Sequence, residues 1–145
     1  MKYLVAGSTG LIGKNLVNIL SENNDVTALA RRKYQFPKNV EQLIVDYDKK
    51  YELPKADHLF ICLGFPVELL DLIVMRGSVK KLFYKVDYDY VCHLAEQAKL
   101  SGIKNVSVIS AVGAHAKSFN YYLKTKGLME QKLKSLNFKK LNIFQ

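Results

Sequence analysis

Ala6-Gly7-Ser8-Thr9-Gly10-Leu11-Ile12-Gly13 is the stretch that decides the fold. It follows Lys2 to Ala6 (KYLVA), a short apolar run that reads as a strand. It leads into Gly10 to Ser21, which reads as a helix with Ile12, Leu16, Ile19 and Leu20 on one face. A helix N-terminus presents unpaired amides and a positive dipole end, and so forms a cradle for phosphate. Gly7 permits the sharp turn, Gly10 lets the backbone approach a pyrophosphate, and Gly13 allows close packing of helix on strand. A glycine triplet alone is weak; its place between a strand and a helix supplies the context it needs. The stretch therefore predicts dinucleotide binding by Gly7, Ser8, Thr9, Gly10, Leu11, Ile12 and Gly13, against the plainer alternative of a structural turn.

Working outward, short apolar runs alternate with helical periods. Asp25 to Ala30, Val40 to Val45 and His58 to Cys62 read as further strands, and Asn105 to Ile109 and Lys140 to Phe144 as the last two. Asp87 to Leu100 reads as a helix whose inner face includes Val91, Leu94, Ala95 and Ala98, with Gly102 as its stop signal. Tyr121 to Leu136 reads as another. Val67 to Tyr84 is ambiguous between a short helix and a lid over a pocket. This alternation predicts an α/β Rossmann fold: a doubly wound parallel sheet of about six strands in the order 3-2-1-4-5-6, helices on both faces, and ligand beyond the carboxyl ends of the strands.

At 145 residues the chain fits one domain, residues 1–145, with no internal repeat or linker. Apolar residues at 49% and charged residues at 24% are those of an ordinary globular protein. No apolar run approaches the roughly 20 residues of a membrane-spanning helix, and the N-terminus does not read as a signal peptide. Cys62 and Cys92 have no metal-ligand spacing and read as two reduced thiols, which points to a cytoplasmic protein without a bound metal. The net charge of +9 attracts anionic ligands. The lysines are spread out rather than massed, and no nucleic-acid fold or aromatic-basic motif stands behind them, so nucleic-acid binding is only a minor expectation. The unpaired edge beyond the last strand leaves room for a homo-oligomer.

The end of the second strand indicates which dinucleotide. NAD sites usually place an acid there to bond the ribose 2′-hydroxyl, whereas this chain has Ala30-Arg31-Arg32. A guanidinium bonds a 2′-phosphate with a bidentate fork. Arg31 and Arg32 therefore favour NADP over NAD, unless both are merely solvated. Leu63 and Gly64 follow the fourth strand, where backbone must pass close to the adenine-side ribose.

Beyond the fifth strand, Tyr122-Leu123-Lys124-Thr125-Lys126 contains Y-x-x-x-K, which on a helix puts Tyr122 and Lys126 on one face. A nearby ammonium favours the phenolate and would lower the tyrosine pKa. Tyr122 would then exchange a proton with a substrate hydroxyl or carbonyl, and Lys126 would also hold the nicotinamide ribose.

The spacing G-x-x-G-x-x-G resembles the short-chain dehydrogenase/reductase superfamily, above all its extended and atypical branches. VDYDYV (Val86 to Val91), ISAVGAH (Ile109 to His115) and YYLKTKGLMEQKL (Tyr121 to Leu133) look like the Tat-interacting-protein-like atypical reductases, whose bacterial relatives are described as NAD(P)H-binding or sugar-epimerase-like. The resemblance covers nearly the whole chain and is weakest from Val67 to Tyr84. It implies that Asp46, after the third strand, bonds the adenine amino group; a plain turn residue is nearly as good a reading. Many members carry two serines after the fifth strand. Here the pair is Ser110-Ala111, which leaves Ser110 as the candidate catalytic partner, with His115 as a lesser donor. Family members continue past Phe144-Gln145 into substrate-binding segments, so the C-terminal substrate part is expected to be missing and the nicotinamide half of the pocket open.

Two functions follow. The first is an NADP-dependent oxidoreductase of an unidentified small carbonyl or hydroxyl substrate, with Tyr122, Lys126 and Ser110 as catalytic residues. The second is a dinucleotide-binding sensor or partner-binding module without efficient turnover.

Overall fold

The computed structural model describes the backbone of residues 1–145 and every side chain except that of Leu69. Six strands form one parallel sheet: β1 (Lys2–Ala6), β2 (Asp25–Ala30), β3 (Val40–Ile44), β4 (His58–Ile61), β5 (Asn105–Ile109) and β6 (Lys140–Phe144). Their spatial order is β3-β2-β1-β4-β5-β6, the order expected of a Rossmann sheet. β1 is central, pairing Ala6 with Leu29 of β2 on one side and with Ile61 of β4 on the other.

Side chains alternate across the sheet, so each strand feeds two cores. On one face Leu4, Ala6, Leu29, Leu59, Ile61, Val106 and Val108 pack with buried residues of α4 (Val91–Leu100) and α5 (Tyr121–Ser135). On the other, Val5, Val26 and Ala28 pack under Val17 of α1 (Leu11–Ser21). Both faces of β1 and β2 are thus covered, which is why those strands read as near-continuous apolar runs.

The inner face of α1 differs from the expected stripe. Gly13, Val17 and Ser21 are its buried residues, Leu16 and Leu20 only pack against the core edge, and Ile12 and Ile19 are exposed. The cause is Gly13: a Cβ there would stand 2.2 Å from the Gly7 carbonyl oxygen. The helix is drawn onto the glycine turn along the Gly13 side, and Ile12 lies with Leu16 along an open apolar groove beside Phe60, Ile109 and Phe144.

The ambiguous stretch is helical in two pieces, α2 (Leu69–Ile73) and α3 (Gly77–Tyr84). α3 runs without a break into a π-helical turn, Lys85–Tyr90, and then into α4. The expected helix start at Asp87 therefore falls inside that wider turn, a feature often found where a helix serves a site.

Candidate functional site

The glycine stretch forms the turn its sequence predicts. Gly7 lies at φ +72°, and the Gly10 amide donates to the Gly7 carbonyl at 3.0 Å. A Cβ at Gly7 would meet the Cys62 carbonyl oxygen at 2.4 Å and the Leu63 nitrogen at 2.9 Å, so the turn and the end of β4 touch through backbone alone. Gly10 is the N-cap of α1, with no side-chain cap and no acid in the first turn. The free amides and dipole of this helix end are left for an anion.

At the carboxyl ends of the central strands lies a cleft lined by Gly7, Thr9, Gly10, Leu29, Ala30 and Arg31 on one side. Tyr47, Cys62, Leu63, Gly64, Val86 and Tyr90 line the other. Its volume is about 140 Å³, below the roughly 300–1,000 Å³ of whole ligand pockets.

Of the predicted cofactor residues, Gly7, Thr9, Gly10, Arg31, Leu63 and Gly64 line this cleft. The others do not. Ser8 is buried, and its hydroxyl donates to the Leu29 carbonyl at 2.9 Å, which locks the turn onto β2. Leu11 is exposed, Ile12 borders a separate apolar groove with Phe60 and Phe144, and Gly13 is spent on helix packing. Arg32 is exposed, and its carbonyl accepts from the Gln42 side chain at 3.3 Å. Asp46 lies outside the cleft lining; one oxygen accepts from the Asp48 amide at 3.1 Å and the other pairs with Lys49 at 3.2 Å.

Tyr122 and Lys126 share a face of α5, as their spacing requires, but they do not act on one another as expected. Lys126 Nζ lies 2.5 Å from Asp87 Oδ1, with both side chains buried. The ammonium is engaged there, and the Tyr122 phenol is pushed up, first by burial and then by the negative Asp87. The expected lowering of the tyrosine is thus reversed. Tyr122 is half-buried and stacked on Phe83, ring centroids 5.1 Å apart. The Asn120 side chain starts α5 by accepting from the Leu123 amide at 3.0 Å and donates to the Leu72 carbonyl at 2.6 Å, which fixes the tyrosine end of the helix against α2.

Ser110 donates its hydroxyl to Glu130 Oε1 at 2.6 Å, and Gln145 donates to the same oxygen at 2.9 Å. Glu130 is buried on α5 one turn beyond Lys126. His115 is exposed, and its Nδ1 accepts from the Lys117 amide at 3.2 Å, a local turn contact.

Asp87 is the residue the sequence reading missed. Its Oδ2 accepts from the Phe65 amide at 2.8 Å, and a Cβ on Gly64 would stand 3.9 Å from its Oδ1. It therefore joins Lys126 to the β4 loop that walls the cleft. The signal was present: Asp87 continues the Val91, Leu94, Ala95, Ala98 stripe one turn back, and an acid on an apolar stripe needs a partner.

A glycine-turned phosphate cradle at the switch point of a parallel sheet defines a dinucleotide-binding α/β protein. The chain belongs to the NAD dependent epimerase/dehydratase family, whose model matches residues 3–127. Among its relatives, protein HTATIP2 of Rattus norvegicus is 36% identical over 152 residues, covering 97% of this chain and 60% of that protein. The mitochondrial protein FMP52 of Saccharomyces cerevisiae is 31% identical over 153 residues, covering 100% of this chain and 64% of that one. A UDP-glucuronic acid 4-epimerase from Bacillus cereus, solved in complex with NAD, superimposes with a TM-score of 0.77 at 17% identity, over 99% of this chain and 55% of the other. The chain thus spans about three fifths of the length of the curated relatives it matches. These findings support the resemblance to Tat-interacting-protein-like proteins, and the cofactor they name is NAD. They also correct the expected cytoplasmic location, since the yeast relatives are named mitochondrial.

Proposed function

We propose that the chain is the dinucleotide-binding part of an NADP(H)-dependent oxidoreductase acting on a small carbonyl or hydroxyl compound. The observation that carries the proposal is Arg31, at the carboxyl end of β2 and on the wall of the same cleft as Gly7 and Gly10. A cation in that place favours a cofactor with one more phosphate.

The residues present fit a nicotinamide dinucleotide. Gly7 packs directly on the Cys62 and Leu63 backbone, while a Cβ on Gly10 would meet only the Gly7 carbonyl oxygen, at 3.4 Å, so the uncapped end of α1 carries no side chain in the way of a phosphate. Gly7, Thr9 and Gly10 would hold the pyrophosphate, Arg31 the 2′-phosphate, and Leu63 and Gly64 the adenine-side ribose. The bound cofactor supplies or accepts hydride. Tyr122, held protonated by burial, is suited to give its proton to the oxygen of a carbonyl being reduced. Lys126 would hold the nicotinamide ribose, with its ammonium shared with the Asp87 carboxylate.

The test is substrate-dependent NADPH oxidation by wild type and Tyr122→Phe. The variant should lose about 10²–10⁴-fold in rate while its NADPH affinity stays within about twofold, since the phenol is assigned to proton transfer and the affinity change is well under one hydrogen bond. Normal turnover by Tyr122→Phe would refute the role of the phenol.

One observation favours the second reading, a binding module with little turnover. Ser110 is committed to Glu130 and its neighbour is Ala111, so the pair directly after β5 offers no free serine hydroxyl to polarise a carbonyl. That reading predicts NADPH binding without turnover over a broad carbonyl panel.

A further inference from the structure

We infer that the Tyr47 hydroxyl is a nucleotide-binding group, donating a hydrogen bond to a phosphate or ribose oxygen on the adenosine side of the bound dinucleotide. This rests on the dinucleotide-binding proposal and adds to it a residue that neither the glycine motif nor the arginines point to.

Tyr47 follows β3 and is 6% exposed, yet it lines the cleft beside Gly7 and Arg31. Its ring is held in place. It stacks on Tyr90 with centroids 5.4 Å apart and meets Tyr51 edge-on at 5.9 Å. Tyr90 is itself anchored, its hydroxyl donating to Asp48 Oδ2 at 2.9 Å. The Tyr47 ring is thus fixed in the cleft lining, and its hydroxyl proton has no acceptor; the Gly7 amide beside it is itself a donor. A buried, unpartnered hydroxyl is costly, and native proteins keep few of them without a use.

The surroundings say what would pair with it. Burial pushes this phenol up to about 12, so it stays an O–H donor, even though the Arg31 guanidinium and the Gly7 amide favour its anion. Tyr47, Arg31 and Gly7 thus line one cleft, and each brings a donor. An apolar ligand would leave the phenol proton and the guanidinium unmatched, and a cation would be repelled by Arg31. An oxygen-rich anion satisfies them together.

Tyr51 also carries a buried unpartnered hydroxyl, beyond the edge of the Tyr47 ring. A water shared by the two hydroxyls is the competing explanation, and it predicts the opposite behaviour.

The experiment is calorimetric titration of NADH and NADPH into wild type and Tyr47→Phe, with thermal unfolding of each protein free of nucleotide. Phenylalanine keeps the ring and removes only the hydroxyl. The expected result is an affinity loss of about ten- to a hundredfold, the worth of one hydrogen bond to a charged group, with no fall in the melting temperature of the free protein. Equal losses on both nucleotides assign the hydroxyl to the shared diphosphate and ribose; a loss confined to NADPH assigns it to the 2′-phosphate. Unchanged affinity for both, or a variant that melts lower while binding normally, overturns the inference. Failure of the wild type to bind either nucleotide would instead sink the parent proposal, and no behaviour of Tyr47→Phe can imitate that.

Discussion

Lys126 and Asp87 form an ion pair at 2.5 Å between α5 and the π-helical turn, with side chains 5% and 2% exposed. Burial raises the Asp87 carboxyl, while Lys126 and the Phe65 amide act to lower it. The pair stands between the predicted catalytic helix and the β4 loop, so it sets the distance between the two halves of the site.

Removing one partner leaves a buried charge uncompensated. Asp87→Ala should cost about 3–5 kcal/mol of stability, measured by urea unfolding. Asp87→Asn should cost less, because its amide oxygen still accepts from the Phe65 nitrogen. An alanine variant within about 1 kcal/mol of wild type, the value of an exposed pair, would mean that the pair contributes little.

The contact between Gly13 and Gly7 can be tested separately. In Gly13→Ala the new Cβ meets the Gly7 carbonyl oxygen at 2.2 Å and its carbon at 2.8 Å, both backbone atoms. The turn must move, at about 1–3 kcal/mol, and nucleotide affinity should fall at least about tenfold because the amides of the cradle move with it. Gly77→Ala is the control: nothing lies within 4 Å of its Cβ, and it should change neither quantity. Equal effects from the two variants would contradict the close-packing role.

The sheet arrangement was legible because β1, β2 and β5 are short, mostly apolar runs separated by turn and helix signals. Ile12 does share a groove with Leu16, but its exposure was not legible, because helical periodicity gives an apolar arc and not how closely a glycine lets each part of it approach the sheet. The tyrosine–lysine pair was legible as spacing and misread as electrostatics. The missing term was Asp87, which lies 39 residues from Lys126 in sequence and reaches it only through the packing of α5 on the helix before β5. Tyr47 was invisible for a similar reason, since a tyrosine after a strand carries no local mark of an orphaned hydroxyl.

Alkaline pH should act on the two thiols, Cys92 buried and Cys62 half-buried. Burial pushes Cys62 from 9.0 to about 11 and Cys92 from 9.0 to about 12. Above pH 9 the unfolded chain loses these protons while the folded chain keeps them. Stability is therefore complete below about pH 9 and falls as pH rises toward 11, by up to about 1.4 kcal/mol per unit for each thiol. Urea midpoints at pH 8 and pH 10.5 should differ more for wild type than for the Cys62→Ala, Cys92→Ala double variant. An equal drop would assign the alkaline loss to other groups.

The most direct test of the account is a calorimetric comparison of NADPH and NADH on wild type and Arg31→Ala. Wild type should bind NADPH more tightly. Arg31→Ala should weaken NADPH by about ten- to a hundredfold, one charge-assisted contact, and leave NADH nearly unchanged, because only NADPH carries the extra phosphate. Tighter binding of NADH to wild type, with both affinities indifferent to Arg31, would contradict it.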